Sequence, residues 1–399
     1  MSTVLFEHLA LAPRDPILGI NEAFAADARP QKVNLGVGVY YDDNGKVPVL
    51  ECVQRAEQML ASDLAPRTYL PIDGMQAYVR AVQQLLLNES AAVRDRRVAT
   101  VQALGGTGAL KLAADLLYRI DPKAPVYISD PSWENHRALF ESAGFAVQNY
   151  AYYDPATHGL NFAGMQAALQ AMPAGAIVVL HACCHNPTGV DLDAAQWATV
   201  AQIVQARRLT PILDMAYQGF AEGLAQDGAV VRTFADQCAP VFIASSFSKS
   251  FSLYGERVGA LSVVCGDGDE ANRVLSQLKR VIRTNYSNPP MHGGQVVSAV
   301  LGSPELREVW ERELGQMRER IKKMRAALVA GVQAKKPGYD MSFVLRQRGM
   351  FSYSGLSKQA VARLREEFGI YAVDSGRICV AALNSKNVDY VAAAIAQVA

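Results

Sequence analysis

Lys249 sits among serines in Ser245-Ser-Phe-Ser-Lys-Ser250, just past the apolar run Val241-Phe-Ile-Ala244. A lysine amine stripped of water at such a place is a nucleophile toward an aldehyde; a lysine left in water is a solvated surface group. Asp214 closes a second apolar run, Thr210-Pro-Ile-Leu-Asp214, with Tyr217 three residues on. A carboxylate there either needs a cationic or hydrogen-bonding partner in a crevice or caps the next helix. Leu104-Gly-Gly-Thr-Gly-Ala-Leu110 offers backbone amides to an anion at a helix start, or is simply a tight strand-to-helix turn. It is neither a Walker loop nor a dinucleotide fingerprint, since no GK[ST] ending and no third spaced glycine follow. Arg257, in Gly255-Glu-Arg-Val-Gly259, has the fork geometry to grip phosphate. His181-Ala-Cys-Cys-His185 invites a zinc reading, but a strand would turn His181 and Cys183 to one face and Cys184 to the other. No second Cys/His cluster completes a tetrahedral site, so no metal is expected. Asn186-Pro-Thr-Gly189 reads instead as a turn that aims a polar side chain.

Elements able to hold these groups follow from the apolar pattern. Six short runs, at 99–103, 126–129, 176–180, 211–213, 241–244 and 260–264, are almost continuously apolar and too short for helices. Strands covered on both faces by crossover helices have that pattern, which predicts a mainly parallel α/β sheet. Helices are expected between them at 108–118, 194–207 and 270–282. After Gly302 the period changes. Ser303 can cap a helix with Pro304 in its first turn, and Trp310, Leu314, Met317, Ile321, Met324 and Leu328 follow at steps of four and three. One long amphipathic helix is predicted, leading into an α+β unit. Its expected parts are strands at Met341–Leu345, Phe351–Ser354, Ile370–Val373 and Ile378–Ala381, forming a small antiparallel sheet, and a helix from Lys358 to Phe368.

The chain has 399 residues, 50% of them hydrophobic, and its 39 Lys and Arg nearly balance 38 Asp and Glu. That apolar content excludes a disordered chain, and the length exceeds what one core usually serves, so two domains are expected. A net charge of +1 gives no global pull on nucleic acid or an acidic membrane, so small molecules are the expected partners. No apolar run approaches the length of a membrane span, and Met1-Ser-Thr-Val-Leu-Phe-Glu7 does not read as a signal peptide. Six cysteines without CxxC spacing point to buried thiols in a reducing compartment, and so to the cytoplasm.

Taken together, a Gly-rich anion turn, an aromatic at Trp133, an Asn-Pro turn, a strand-end Asp-x-x-Tyr, a Ser-x-Ser-Lys and an arginine meet the needs of one cofactor. Pyridoxal phosphate requires a lysine for its aldehyde, a carboxylate for its pyridine nitrogen, an anion cradle and a face to stack on. Val39-Tyr40, Gly105–Leu110, His185–Gly189, Asp214-Met-Ala-Tyr-Gln-Gly-Phe220, Ser246–Lys249, Glu256–Gly259, Asn285-Tyr-Ser-Asn-Pro289 and Ser375-Gly-Arg377 occur in one order from Arg14 onward. In that pattern the sequence resembles the class I aminotransferases of the aspartate/aromatic amino acid subgroup. Tyr69-Leu-Pro-Ile-Asp-Gly74 and Ser252-Leu-Tyr-Gly-Glu-Arg257 are more similar to the bacterial aromatic (tyrosine) enzymes.

The resemblance implies fold type I: a large mainly parallel-sheet domain over 47–316, a small α+β domain from 14–46 and 317–399, and an N-terminal arm over 1–13. It implies that Lys249 bonds the cofactor, Asp214 pairs with its ring nitrogen, and His136 and His181 back Asp214. Asn186 and Tyr217 would hold the ring oxygen, and Trp133 would stack on the ring. Gly106, Thr107, Ser246, Arg257 and a Tyr69 from a second subunit would hold the phosphate. Arg377, helped by the Gly38 amide, would take the substrate α-carboxylate, Arg283 of the second subunit its distal carboxylate, and Trp133 and Asn186 would also contact substrate. The implied protein is a cytoplasmic homodimer with shared active sites. It would transfer amino groups between tyrosine, phenylalanine or aspartate and 2-oxoglutarate by ping-pong exchange of pyridoxal and pyridoxamine forms. A dedicated aspartate aminotransferase is the alternative. A lyase or decarboxylase of the same cofactor, or a non-catalytic regulator on the same fold, stands further off.

Overall fold

A computed structural model of the chain describes residues 6–7, 9–12, 17–62 and 66–399. The expected start of the small domain at residue 14, and part of the expected arm over 1–13, lie outside the described residues. In chain order the strands are β1 (Val33–Asn34), β2 (Val98–Leu104), β3 (Val126–Asp130), β4 (Val147–Ala151), β5 (Tyr153–Asp154), β6 (Gly159–Leu160) and β7 (Ile177–His181). They continue with β8 (Thr210–Met215), β9 (Val241–Ser246), β10 (Val258–Val264), β11 (Phe351–Tyr353), β12 (Ile370–Tyr371) and β13 (Arg377–Cys379). Seven of them form one sheet in the order β2-β10-β9-β8-β7-β3-β4. Only β10 runs against its neighbours, so the six predicted runs all become strands of a mainly parallel sheet, with β4 added at the edge.

Both faces of this sheet are covered, and the two-residue period of a strand sorts its side chains between them. Ile177, Val179, Ile212, Phe242 and Ala244 pack into one core with the helices Gly105–Ile120 and Gly268–Asn285. Val178, Leu180, Leu213, Met215, Val241 and Ile243 join the other, with the helices Gln76–Leu87 and Ala194–Arg207. The same period carried to the carboxyl ends puts His181, Asp214 and Ser246 on the first face, in line after Val179, Ile212 and Ala244. His181 and Asp214 are direct cross-strand partners. Strand order reverses between β3 and β7, where loops leaving adjacent parallel strands diverge and open a crevice.

The long helix is present over Pro304–Lys335, 32 residues, with the Ser303 hydroxyl accepting the Leu306 N–H at 3.3 Å. All six residues of the predicted stripe are buried. Beyond it the expectation of a single antiparallel sheet is corrected. Met341–Leu345 is not a strand; Ser342–Arg346 forms a 3₁₀ turn, with Phe343 and Val344 buried side by side and Leu345 exposed. The remaining strands make two separate pairs, β11 with β13 antiparallel and β12 parallel to β1 from the start of the chain. Among the described residues no helix is long and apolar enough to cross a membrane.

Candidate active site

At the carboxyl edge of the sheet lies a cleft of about 750 Å³. Its lining includes Gly38, Gly106, Thr107, Trp133, His181, Asn186, Asp214, Tyr217, Ser246, Lys249 and Arg257, brought together from segments more than two hundred residues apart. Ser248 and Tyr254 also line it and were not singled out from the sequence. The Ser248 hydroxyl accepts from Arg257 Nη1 at 3.3 Å, and the Tyr254 hydroxyl accepts the Tyr40 N–H at 2.9 Å. Ser248 immediately precedes Lys249 in its motif, and Tyr254 belongs to the Ser252–Arg257 run, but neither carries a local signal of its own role.

Asp214 is 5% exposed and is held from behind by a polar relay: His136 Nε2 lies 2.9 Å from its Oδ2, and His136 Nδ1 lies 3.0 Å from Ser132 Oγ. Burial by itself pushes a carboxyl up, but the His136 hydrogen bond and the nearby charges, Lys249 among them, outweigh it and hold Asp214 below its ordinary value. Lys249 is shifted the other way from a free amine. Burial, with Arg257 adding repulsion against the attraction of Asp214, brings it down to about 8. Its Nζ lies 5.0 Å from the centre of the Tyr217 ring. The carboxyl edge of the sheet thus carries an anion kept charged and an amine that gives up its proton far more readily than a free lysine, a pairing that marks functional sites.

His181 stands beside this pair with both ring nitrogens buried and without a partner among the described residues. Burial, then the neighbouring His185 and His136, hold it well below its usual value, so it stays a neutral ring against His136, with centroids 4.8 Å apart. His136, His181 and Asp214 are the described residues whose donor atoms come within 4.8 Å of one another. The 2.9 Å bond turns His136 and Asp214 toward each other rather than toward a shared ion. The cysteines of the His-Ala-Cys-Cys-His run face elsewhere: Cys183 Sγ is 3.7 Å from Met215 Sδ, and burial pushes the Cys184 thiol up to about 11, far from a metal-binding thiolate.

The opposite end of the cleft is built for an anion. The helix expected from Gly108 begins three residues earlier, at Gly105, so Gly105, Gly106 and Thr107 form its first turn, where N–H groups have no intrahelical acceptor and no acidic side chain competes. The left-handed backbone at Gly105 favours glycine, and the turn is closely packed. A Cβ on Gly105, whose φ is +67°, would lie 2.6 Å from Arg257 Nη2, and one on Gly106 would lie 3.2 Å from the Ser246 side chain. Arg257 has no carboxylate partner among the described residues; its recorded bonds are to Ser248 Oγ and the Tyr254 carbonyl.

Arg377 stands directly behind Asn186, beside the cleft but outside its lining. It is 2% exposed, donates to Asn186 Oδ1 at 3.2 Å and to the Gly36 carbonyl at 2.6 Å, and rests 4.4 Å from the centre of the Phe351 ring. Its Nε is buried without a partner and no carboxylate pairs with it among the described residues. A buried guanidinium so placed is incomplete until an anion arrives. Two predicted residues are not brought in. Tyr69 is 91% exposed, and Arg283 is exposed on the last turn of Gly268–Asn285, bonded to Ser287.

Unpaired Arg257 in the lining and unpaired Arg377 behind Asn186, a lysine whose proton is loosened by burial and a shielded carboxylate fit a cofactor that carries an aldehyde, a ring nitrogen and a phosphate. Comparisons with known proteins agree. Residues 30–395 match the family described as aminotransferase class I and II. An aspartate aminotransferase of Pseudomonas aeruginosa is 61% identical, the match covering 99% of each chain. The aromatic-amino-acid aminotransferase of Escherichia coli is 48% identical over 99% of this chain and all of that one. A crystal structure of the Burkholderia pseudomallei aromatic-amino-acid aminotransferase, covalently bound to pyridoxal phosphate, superposes with a TM-score of 0.97 at 64% identity over 99% of both chains. Likeness of that extent, over a cleft of this chemistry, shows that the chain belongs to the class I and II aminotransferase family.

Proposed function

We propose that the protein is a pyridoxal-phosphate-dependent transaminase, moving an amino group between an L-amino acid and a 2-oxo acid. The observation that carries this is the pairing, in one cleft, of an amine brought to about 8 with a buried carboxylate held anionic by His136. When bound, the cofactor supplies an aldehyde for the substrate amine and a protonated ring that draws electrons from the substrate Cα–H bond. Asp214 keeps negative charge where the ring nitrogen needs a proton, with His136 and His181 fixing and shielding it. Lys249 Nζ bonds the cofactor at rest and, once displaced, lifts the proton from substrate Cα. Gly106, Thr107, Ser246 and Arg257 hold the phosphate, Trp133 covers one ring face, and Asn186 and Tyr217 bond the ring oxygen. Arg377 and the Gly38 N–H take the α-carboxylate.

Tyr69 and Arg283 act from a second copy of the chain, and the working form is a homodimer. What supports this reading is that both side chains lie exposed outside their own chain's cleft. We divide the chain into a large domain over 47–316 and a small one over 14–46 and 317–399, with an arm over 1–13. The β1–β12 pair and the Tyr41 N–H on the Ala381 carbonyl, 3.1 Å, tie the early segment to the late one in support. Six buried, unpaired cysteines fit a cytoplasmic setting.

For the amino donor we take the aromatic reading, with aspartate also accepted and a dedicated aspartate enzyme as the alternative; relatives of both names cover nearly the whole chain. Absorption and kinetics test the proposal together. Purified protein is expected to be yellow and to lose that near-visible band in Lys249→Ala without unfolding; a colourless protein that cannot be reconstituted overturns it. A kcat/KM panel over tyrosine, phenylalanine and aspartate tests the donor. Aspartate favoured over tyrosine by about 100-fold makes it a dedicated aspartate enzyme.

A further inference from the structure

Arg325 lies on the long helix between Met324 and Leu328, in the middle of its buried face, and is itself only 3% exposed. No carboxylate pairs with it among the described residues, and burial brings its guanidinium down to about 10. Every hydrogen bond recorded for it goes to one short segment: Nη2 donates to the Gly349 carbonyl at 2.6 Å and the Phe351 carbonyl at 3.4 Å, and Nε to Ser352 Oγ at 3.2 Å. A buried cation without a carboxylate is costly, and here the compensation comes from the carbonyls and hydroxyl of this one segment, which lose their donor if the guanidinium is removed.

The segment it grips is the rear wall of the carboxylate site. The Phe351 ring is the surface on which Arg377 rests, stands edge-on to Tyr217 with centroids 6.1 Å apart, and lies so close to Gly38 that a Cβ there would fall 2.7 Å from Phe351 Cζ. The same stretch touches the Asn186 turn, since the Arg348 N–H donates to the Gly189 carbonyl at 2.7 Å and a Cβ on Gly349 would fall 2.4 Å from Cys184 Cβ. Asn186 in turn accepts from Arg377. Arg377 and Gly38, the two groups read as taking the α-carboxylate, and Asn186, which bonds Arg377, are thus set by the position of residues 349–352.

We propose that Arg325 is a positioning residue for α-carboxylate recognition: by holding the carbonyls of Gly349 and Phe351 it fixes the ring that seats Arg377 against Gly38. The inference rests on the reading of Arg377 as the carboxylate ligand. Because the α-carboxylate is common to all substrates, loss of Arg325 weakens them all alike, while Lys249 and Asp214, on the sheet, keep their chemistry.

The test compares Arg325→Met, which keeps the bulk, with Arg325→Lys, which keeps a charge and a donor. In Arg325→Met, KM for aspartate and for tyrosine is expected to rise together, about tenfold, with kcat changed less than about threefold and the near-visible band intact. Calorimetric Kd values for succinate and for 3-phenylpropionate, which carry no amine, are expected to rise in parallel, and Arg325→Lys to recover most of the loss. Should Arg325→Met fail to fold, Ser352→Ala and Phe351→Leu are expected to show the same parallel rise at smaller size. Unchanged KM and Kd in folded variants overturn the proposal, as does a rise confined to one substrate class, or a fall in kcat at constant KM. Failure of the underlying reading looks different: the wild type itself then binds neither carboxylate, or Arg377→Gln leaves carboxylate binding unchanged.

Discussion

Two walls of the same cleft treat buried charge in opposite ways. On the sheet side, Asp214 is bonded through His136 to Ser132 and its charge is settled before any ligand arrives. On the far side, Arg377 leans on an aromatic ring with its Nε unpartnered and its other donors on neutral oxygens. A paired charge is a permanent part of the machinery, setting reactivity. An unpaired one is half of an interaction whose other half is the ligand, setting affinity. The contrast predicts that damage to the first wall shows in kcat and damage to the second in KM.

The largest effect is expected where the walls meet. Lys249→Ala should lower turnover by at least about 10⁴-fold, since nucleophile and proton carrier go together. Single-turnover kinetics will measure it; residual activity within tenfold of wild type breaks the reading of Lys249. Asp214→Asn keeps shape and removes charge, and should cost about 10³-fold in kcat with KM little changed. Arg377→Gln should instead raise KM, with kcat/KM down about 10²-fold, the scale for truncating one partner of a buried pair. If the two substitutions alter kcat and KM in the same proportions, the contrast between the walls is wrong.

Smaller effects sharpen it. In the cofactor-free protein, Lys249 loses its proton near pH 8 when folded and near 10.5 when unfolded. The unfolded chain then holds more protons between those values, so this site adds stability as pH rises across that window, by up to about 3 kcal/mol. Urea titrations of the cofactor-free wild type and Lys249→Met from pH 7.5 to 10.5 should diverge by that amount, and parallel curves would remove the shift. Least in size, Arg283→Leu should weaken aspartate by about 10–100-fold and tyrosine by less than about threefold, because an arginine lying in water can turn away from an aromatic side chain. Equal losses for both donors would contradict that freedom.

Much of this was written in local sequence. Strands such as Ile177–His181 and Val241–Ser246 announce themselves because a strand covered on both faces must be apolar at every position, and the polar residue that ends each run is where the cover stops. Met341–Leu345 has the same composition, but two adjacent buried residues and an exposed leucine belong to a tight turn; composition could not separate the two. The C-terminal strands were found, yet β12 pairs with β1 across more than three hundred residues, a partner no local pattern names. The site residues came from the joint order of motifs and the family they resemble. Arg325 escaped because a charge within an amphipathic helix reads as solvated, and only the packing shows it turned inward.

The helix Pro304–Lys335 holds the two walls in register as a vernier does. Near its start, Trp310 Nε1 donates to the carbonyl of Ser250, the residue after Lys249, at 2.7 Å, and Glu313 accepts the N–H groups of Glu51 and Cys52. Four turns further on, Arg325 grips the segment behind Arg377. Inserting one residue between Leu314 and Arg325 would swing every later side chain by about 100° and advance it about 1.5 Å, aiming Arg325 away from Gly349 while leaving the helix itself intact. The spacing between amine and carboxylate clamp is therefore recorded in the residue count of a helix that itself contributes no side chain to the cleft lining, and this stretch should tolerate substitutions far better than changes of length.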